Sequence, residues 1–74
     1  MTISRKEMER NLKNYCREQF NNCKNYGSDI NKAIDRCYGA TMFCINNCFS
    51  EYNDELGKWW DDVMLPKFRE LERR

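Results

Sequence analysis

The chain has 74 residues, with 13 basic and 12 acidic side chains and a formal net charge of +1. This length allows one domain at most, and a composition that is 41% hydrophobic and 14% aromatic is too apolar for a disordered chain. The small net charge provides no overall field that would draw the protein to nucleic acid or to a membrane surface. No run of about 18 apolar residues predicts a transmembrane helix, and the charged start lacks an apolar signal core, so we expect a cytoplasmic protein without a membrane partner.

The first predicted helix spans residues 4–25. Ser4 and Glu7 fit a capping box at its start, and apolar residues then recur at helical spacing. The segment Gly27-Ser28-Asp29 is the clearest break in the chain, because glycine suits the position after a helix end and serine or aspartate can cap the next start. The pattern therefore predicts a helical hairpin that turns at these three residues.

The second predicted helix spans residues 29–50 and carries two adjacent apolar stripes, which is typical of a helix with neighbours on two sides. Asn53 suits a helix cap and favours a break followed by a third helix over residues 53–72. One stripe continues unbroken past this point, so a single helix across residues 29–65 stays an alternative.

Proline shapes the last predicted helix. Pro66 lacks a backbone donor and crowds the preceding turn, so we expect it to kink or restart the third helix. The predicted fold class is all-α, a small three-helix bundle built on an antiparallel helical hairpin. Residues 1–74 form one helical domain in this prediction.

Five cysteines, with no histidine, are the most distinctive feature of the composition. Cys16 and Cys23 are seven residues apart, as are Cys37 and Cys44, and Cys48 follows four residues later. Seven and four are helical spacings, so each group lies along one helix face. In an antiparallel hairpin, equal counting places Cys16 in register with Cys44, and Cys23 with Cys37.

Three interpretations of these thiols stay open. In the first, Cys16, Cys23, Cys37 and Cys44 are small core residues, since disulfides are uncommon in the cytosol. In the second, two bridges follow the register above, an arrangement that resembles the twin-cysteine hairpins of the coiled-coil-helix family over residues 16–44, although cysteines of that family have nine intervening residues rather than six. In the third, Cys16, Cys23, Cys44 and Cys48 hold zinc or an iron–sulfur cluster, although no C-x-x-C motif occurs. We expect no cofactor outside this third case.

We do not expect an enzyme. Without histidine there is no Ser-His, Cys-His or His–metal arrangement, and the three glycines are too scattered for a phosphate-binding loop. Asp61 and Asp62 are neighbours that point about 100° apart on a helix, which is a poor geometry for an acid–base pair.

Two adjacent tryptophans make the chain's best candidate for a binding surface. Trp59 and Trp60 cannot both face one core, so one interpretation places Trp59 in the core and Trp60 over the Pro66 bend. The other makes Trp60 an exposed anchor within a charged rim. We call the predicted binding surface the acidic-aromatic segment, and it comprises Glu51, Asp54, Glu55, Lys58, Trp60, Asp61 and Asp62.

The first helix offers an alternative surface for nucleic acid. Its basic residues spread over a broad outer face, which is usually only a solvated side of a helix. They are Arg5, Lys6, Arg10, Lys13 and Arg17.

The composition and two short stretches resemble small proteins of phages and mobile elements in anaerobic Firmicutes. The stretches are DRCYGA at residues 35–40 and LPKF at residues 65–68. This resemblance implies a short accessory protein in the host cytoplasm, in the class that includes anti-CRISPR proteins and other inhibitors of defence nucleases. We therefore predict a non-enzymatic protein-binding module, with a cysteine-based metal or redox protein and a nucleic-acid-binding protein as alternatives. A homodimer is also open.

Overall fold

The computed structural model describes residues 4–47 and 53–73, and these residues are almost wholly helical. The elements are α1 (Arg5–Tyr26), α2 (Ile30–Asn47), α3 (Asn53–Trp59), a π-helical turn (Trp60–Met64) and α4 (Leu65–Glu72). The last three follow one another without a break, and together we call them the C-terminal helix. α1 and α2 form a hairpin that the C-terminal helix packs against, so the predicted all-α bundle is confirmed.

The start of α1 and the hairpin turn are built as the sequence predicts. Ser4 caps α1, since its Oγ accepts a hydrogen bond from the Glu7 backbone N–H at 3.2 Å. Gly27 ends α1 in the left-handed conformation (φ 70°), and its N–H donates to the Asn22 carbonyl. Asp29 starts α2, because its Oδ1 accepts from the backbone N–H groups two and three residues on, at 2.9 and 3.3 Å.

A disulfide joins α1 to α2 between Cys16 and Cys37, whose Cα atoms are 5.0 Å apart. Both residues are completely buried. The predicted pairs Cys16–Cys44 and Cys23–Cys37 are therefore wrong. Cys23 is instead a buried thiol beside the turn, with its Sγ 3.8 Å from the Asp29 carbonyl oxygen, and Cys44 packs half-buried against the core.

The position of the turn explains why the predicted cysteine pairs do not form. The predicted pairs need a hairpin centred on residue 30, but the turn occupies residues 27–29 and residue 30 already begins α2. Equal counting from the centre of that turn places Cys23 opposite Ala33, a buried small residue. The same counting places Cys16 opposite residue 40, which is three residues from Cys37 and four from Cys44. Spacing alone does not choose between them, and the packing of the helices selects Cys37.

The C-terminal helix returns across both helices of the hairpin. The ring of Trp60 lies 5.4 Å from that of Tyr38, and the ring of Phe68 lies 5.7 Å from that of Phe20, measured between centroids. In one continuous α-helix residues 38 and 60 would be about 33 Å apart, so α2 and α3 are not parts of one continuous helix. The buried apolar core comprises Leu12, Cys16, Cys23, Ala33, Cys37, Leu56, Trp60, Met64 and Phe68.

The π-helical turn keeps one stripe of the C-terminal helix in the core. Leu56, Trp60, Met64 and Phe68 are buried at intervals of four residues. On a regular α-helix each such step overshoots a full turn by about 40°, which would carry Phe68 about 120° away from Leu56. A π-helical turn is wider, so each residue winds through a smaller angle and offsets part of this drift.

The same turn accommodates Pro66. The Leu65 N–H donates to the Trp60 carbonyl, five residues back, and α4 begins with Pro66 in its first positions. Pro66 has no backbone N–H to donate, and in a regular α-helix its ring would crowd the Asp62 carbonyl, whereas the π-helical turn just before it changes the local winding. The helix therefore does not restart at Pro66 but continues from the π-helical turn into α4, with Pro66 in its first turn.

The helix bounds differ from the predicted ones mainly around the second break. α1 and the C-terminal helix begin and end within a residue or so of the predicted 4–25 and 53–72, while α2 is described only to Asn47 rather than to residue 50. Residues 48–52, and with them Cys48 and Glu51, lie outside the described residues. Within residues 4–47 and 53–73, each helix is too short or too polar to cross a membrane.

Candidate functional site

The acidic-aromatic segment does not contain the exposed anchor that the sequence predicts. Trp60 is only 6% exposed, and it packs between the core and the Tyr38 ring. The prediction of Trp60 as an exposed binding anchor is therefore wrong. The reason is the four-residue stripe of the C-terminal helix, which turns Trp60 inward and leaves Trp59 half-buried, the reverse of the interpretation that places Trp59 in the core.

The charged members of this segment form a solvated face. Glu51 and the side chain of Asp54 lie outside the described residues. With Trp60 buried, the remaining charges have no exposed tryptophan at their centre. The exposed ones are Glu55, Lys58, Asp61 and Asp62.

The three described cysteines of the predicted metal site, Cys16, Cys23 and Cys44, are not grouped to hold a metal ion. Cys16 is covalently bound to Cys37, so its sulfur is not a thiolate ligand in this state. Cys48 lies outside the described residues. Within the described part of the chain, no three cysteine or carboxylate side chains are grouped to hold a metal ion.

Cys23 is the buried thiol of α1. Burial raises its pKa, and the nearby Asp29 carboxylate raises it further. The thiolate is the reactive form of cysteine, so this environment keeps Cys23 unreactive near neutral pH. Its position matches the interpretation in which cysteines serve as small core residues.

A groove runs between α1 and the C-terminal helix in the described part of the chain. Its main cleft has a volume of about 160 Å³ and continues, past the shared residues Phe20 and Lys67, into a second cleft of about 140 Å³. On each helix the lining residues recur every three or four positions, so each set lies on one face. The α1 wall comprises Lys13, Arg17, Phe20 and Lys24, and the opposite wall comprises Trp59, Val63, Met64, Lys67, Glu70 and Leu71.

The floor of this groove is apolar and rests directly on the core. Phe20, Trp59 and Leu71 are half-buried, and Val63 is 41% exposed. The Phe20 ring meets the fully buried Phe68 edge-on, so the floor is held by core packing. A rigid apolar floor that solvent still reaches favours burial under another molecule.

The rim of the groove is basic. Lys13 forms an ion pair with Glu9 at 2.7 Å, and its Nζ lies 5.7 Å from the centre of the Trp59 ring. Glu70 is the acidic residue of the lining. Three further cations of the rim form no ion pair within the described residues, namely Arg17, Lys24 and Lys67.

Sequence reasoning missed this groove because its two walls are distant in the chain. The sequence predicts a solvated face for Lys13 and Arg17, and the apolar stripe that continues past Asn53 does not show that Trp59 and Val63 meet α1. The available signal was the mixture of cations and one aromatic residue, Phe20, on a single face of α1. Periodicity does not predict which helix packs against that face, because this depends on the tertiary structure.

Comparisons with known proteins do not assign the groove. No family model matches this chain, and no curated protein or solved structure is significantly similar to it. The chemistry of the groove itself therefore carries the functional proposal.

Proposed function

We propose that this chain is a non-enzymatic module that acts by binding another protein in the groove between α1 and the C-terminal helix. The observation that carries the proposal is the combination of an accessible apolar floor with a rim of cations, of which Arg17, Lys24 and Lys67 form no ion pair within the described residues. Apolar contacts supply most of the affinity in such an interface, while rim charges supply orientation and specificity. The groove lining consists of cationic, aromatic and aliphatic groups and one carboxylate, which suits binding more than acid–base or nucleophilic chemistry.

The biological role that we propose follows the resemblance to small phage and mobile-element proteins. In this role the chain works in the host cytoplasm and inhibits or modulates a host complex, such as a defence nuclease, by stoichiometric binding. The Cys16–Cys37 disulfide weighs against the cytoplasm, because reducing compartments keep most thiols reduced. Trapping of free thiols in intact cells, followed by mass measurement, decides this point. A protein that is bridged in the cytoplasm agrees with the proposed compartment. A fully alkylated protein means that the bridge needs a more oxidising compartment.

A photo-crosslinking experiment in cells tests the binding proposal. The crosslinking amino acid p-benzoylphenylalanine replaces Val63, which is 41% exposed on the groove floor. The matched control carries it at Tyr26, which is 81% exposed at the end of α1 and does not line the groove. We expect a discrete protein adduct from position 63 that is absent from position 26.

Equal adducts from both positions, or no adduct from position 63, would contradict the proposal. A nuclease treatment separates the second candidate function, nucleic-acid binding. That candidate is favoured by a shallow basic cleft along α1, which has a volume of about 290 Å³. The lining residues of this cleft are Lys6, Glu9, Arg10, Lys13, Asn14 and Arg17. An adduct that nuclease removes identifies nucleic acid as the ligand.

A further inference from the structure

We propose that the occupant of the groove is an acidic amphipathic helix of about three turns, supplied by the partner protein. This inference rests on the proposed function and goes further by naming the conformation, the length and the charge of the bound segment. Each of the three follows from a separate property of the groove.

The length follows from the walls. On α1 the lining runs from Lys13 to Lys24, eleven residues or about 16 Å of helix, and on the C-terminal helix it runs over a similar distance from Trp59 to Leu71. A bound helix of equal length has about 11 residues, which is about three turns. Four apolar side chains spaced three or four residues apart would then reach the floor.

The helical conformation follows from the backbone. Both walls are helices, whose N–H and C=O groups are bonded within the helix, so they offer no edge to an extended peptide. An extended segment laid on the apolar floor would bury its own backbone polar groups without partners, which is costly. A helix satisfies its backbone internally and presents only side chains. Packing of a further helix into a groove between two helices is also the ordinary geometry of a helical bundle.

The negative charge follows from the rim. Cations lie on both walls, with Arg17 and Lys24 on α1 and Lys67 on the C-terminal helix, and Glu70 is the acidic lining residue. A bound helix therefore needs carboxylates on both sides of its apolar stripe. Like charges in those positions would leave cations facing cations across the contact, which disfavours a basic partner.

Nucleic acid fits this groove less well. Single strands bind by stacking bases on open aromatic rings, but the Trp59 ring carries the Lys13 ammonium 5.7 Å from its centre. The rest of the accessible floor includes aliphatic Val63 and Leu71, which are poor stacking platforms. The whole chain has a net charge of only +1, so attraction to a phosphate backbone is weak.

Selection from a displayed peptide library tests the inference with the full-length, oxidised protein. The library holds 14-residue peptides on a helical scaffold, with surface positions randomised without charge bias. We expect the selected peptides to be enriched in Asp and Glu beside a stripe of Leu, Ile, Phe or Met. We expect their affinity to fall at least tenfold in Val63→Arg, which blocks the floor, and in Lys67→Glu, which reverses the rim.

The matched control is Lys32→Glu, the same charge change at an exposed position of α2 that is absent from the groove lining, and it should leave the affinity unchanged. Circular dichroism of each variant checks that the helices are intact. Selected peptides that are neutral or basic, or binding that responds equally to Lys67→Glu and Lys32→Glu, would overturn the inference. Tighter binding of a 15-nucleotide oligothymidine than of the selected peptides would also overturn it. Self-association through the groove would do the same, and it would be detected as a concentration-dependent mass that Val63→Arg abolishes.

The two tests fail separately. A protein adduct at position 63 in cells, combined with selected peptides that are not acidic, keeps the proposed function and rejects the acidic helix. Acidic helical peptides that bind in vitro, combined with no adduct at position 63 in cells, support the chemistry of the groove and reject the proposed function.

Discussion

Removal of the Cys16–Cys37 disulfide should cost this chain a large part of its stability. The bridge closes a loop with a sequence separation of 21 residues, and chain-entropy estimates for a loop of this size give about 3 kcal/mol at 25 °C. A domain of 74 residues has a total free energy of unfolding on the order of 4–11 kcal/mol. The bridge therefore supplies between a quarter and most of the stability, which makes its loss easy to measure.

The experiment compares wild type with the double variant Cys16→Ala/Cys37→Ala by urea unfolding, followed by circular dichroism at 222 nm. With a slope of about 1 kcal/mol per M urea, a loss of 3 kcal/mol lowers the midpoint by about 3 M. The matched control is Cys23→Ala, which removes a buried sulfur atom from the same helix without breaking a bridge. Its expected cost is about 1 kcal/mol, in the range of small core truncations.

A reductant provides the second control. Excess reducing phosphine should lower the midpoint of wild type by a similar amount and should leave the double variant unchanged. Digestion with chymotrypsin, which cleaves after Tyr38 and Phe43, separates Cys37 from Cys44 and identifies the bonded pair by mass. A midpoint that does not respond to reductant, or a fragment that links Cys16 to Cys44, would refute the reasoning.

Three further predictions follow from burial and backbone conformation. The raised pKa of Cys23 favours its neutral form in the folded state, so its contribution to stability is complete at neutral pH and is lost as the pH rises above about 8.5, where an exposed thiol ionises. Between pH 7 and pH 10 wild type should therefore lose more stability than Cys23→Ala, and equal losses would contradict this. Gly27→Ala should destabilise the protein by about 1 kcal/mol because residue 27 has a positive φ. Gly39→Ala, with open space around the added methyl group, should stabilise it by about 1 kcal/mol. Equal effects of the two substitutions in thermal melts would contradict this. Trp60→Ala should destabilise by about 3–5 kcal/mol, in contrast to the small effect expected for an exposed ring, and an unchanged melting temperature would return Trp60 to the surface.

Local signals in the sequence predict much of this fold. The cap at Ser4, the left-handed Gly27 and the cap at Asp29 each act through backbone hydrogen bonds within a few residues, so their positions are readable from the chain. Helical periodicity likewise indicates the helices, although it does not identify Trp60 as the buried tryptophan of the C-terminal helix. These features are enough for an all-α hairpin with a third helix.

The remaining features depend on how the helices meet. Equal counting from the turn leaves Cys16 almost midway between Cys37 and Cys44, so the choice of bonded pair depends on the crossing of α1 and α2. The rotation of the C-terminal helix against the hairpin decides that Trp60 rather than Trp59 is buried, and periodicity within the helix does not fix that rotation. The groove depends on both, since its walls come from helices that are remote in sequence.

The burial of the disulfide also fixes an order of events during synthesis. Disulfides form by exchange with an oxidised disulfide: one cysteine forms a mixed disulfide with it, and the thiolate of the second cysteine attacks that sulfur and displaces the remaining thiol. Neither Cys16 nor Cys37 has exposed surface in the closed core. Oxidation must therefore come before the core closes. At that stage Cys23, which is synthesised before Cys37, could form a non-native disulfide with Cys16. If α1 has formed by then, it holds Cys16 and Cys23 about 10 Å apart along its axis, beyond the reach of a disulfide. Early formation of α1 would thus act as a proofreading step, which leaves Cys16 available until Cys37 arrives.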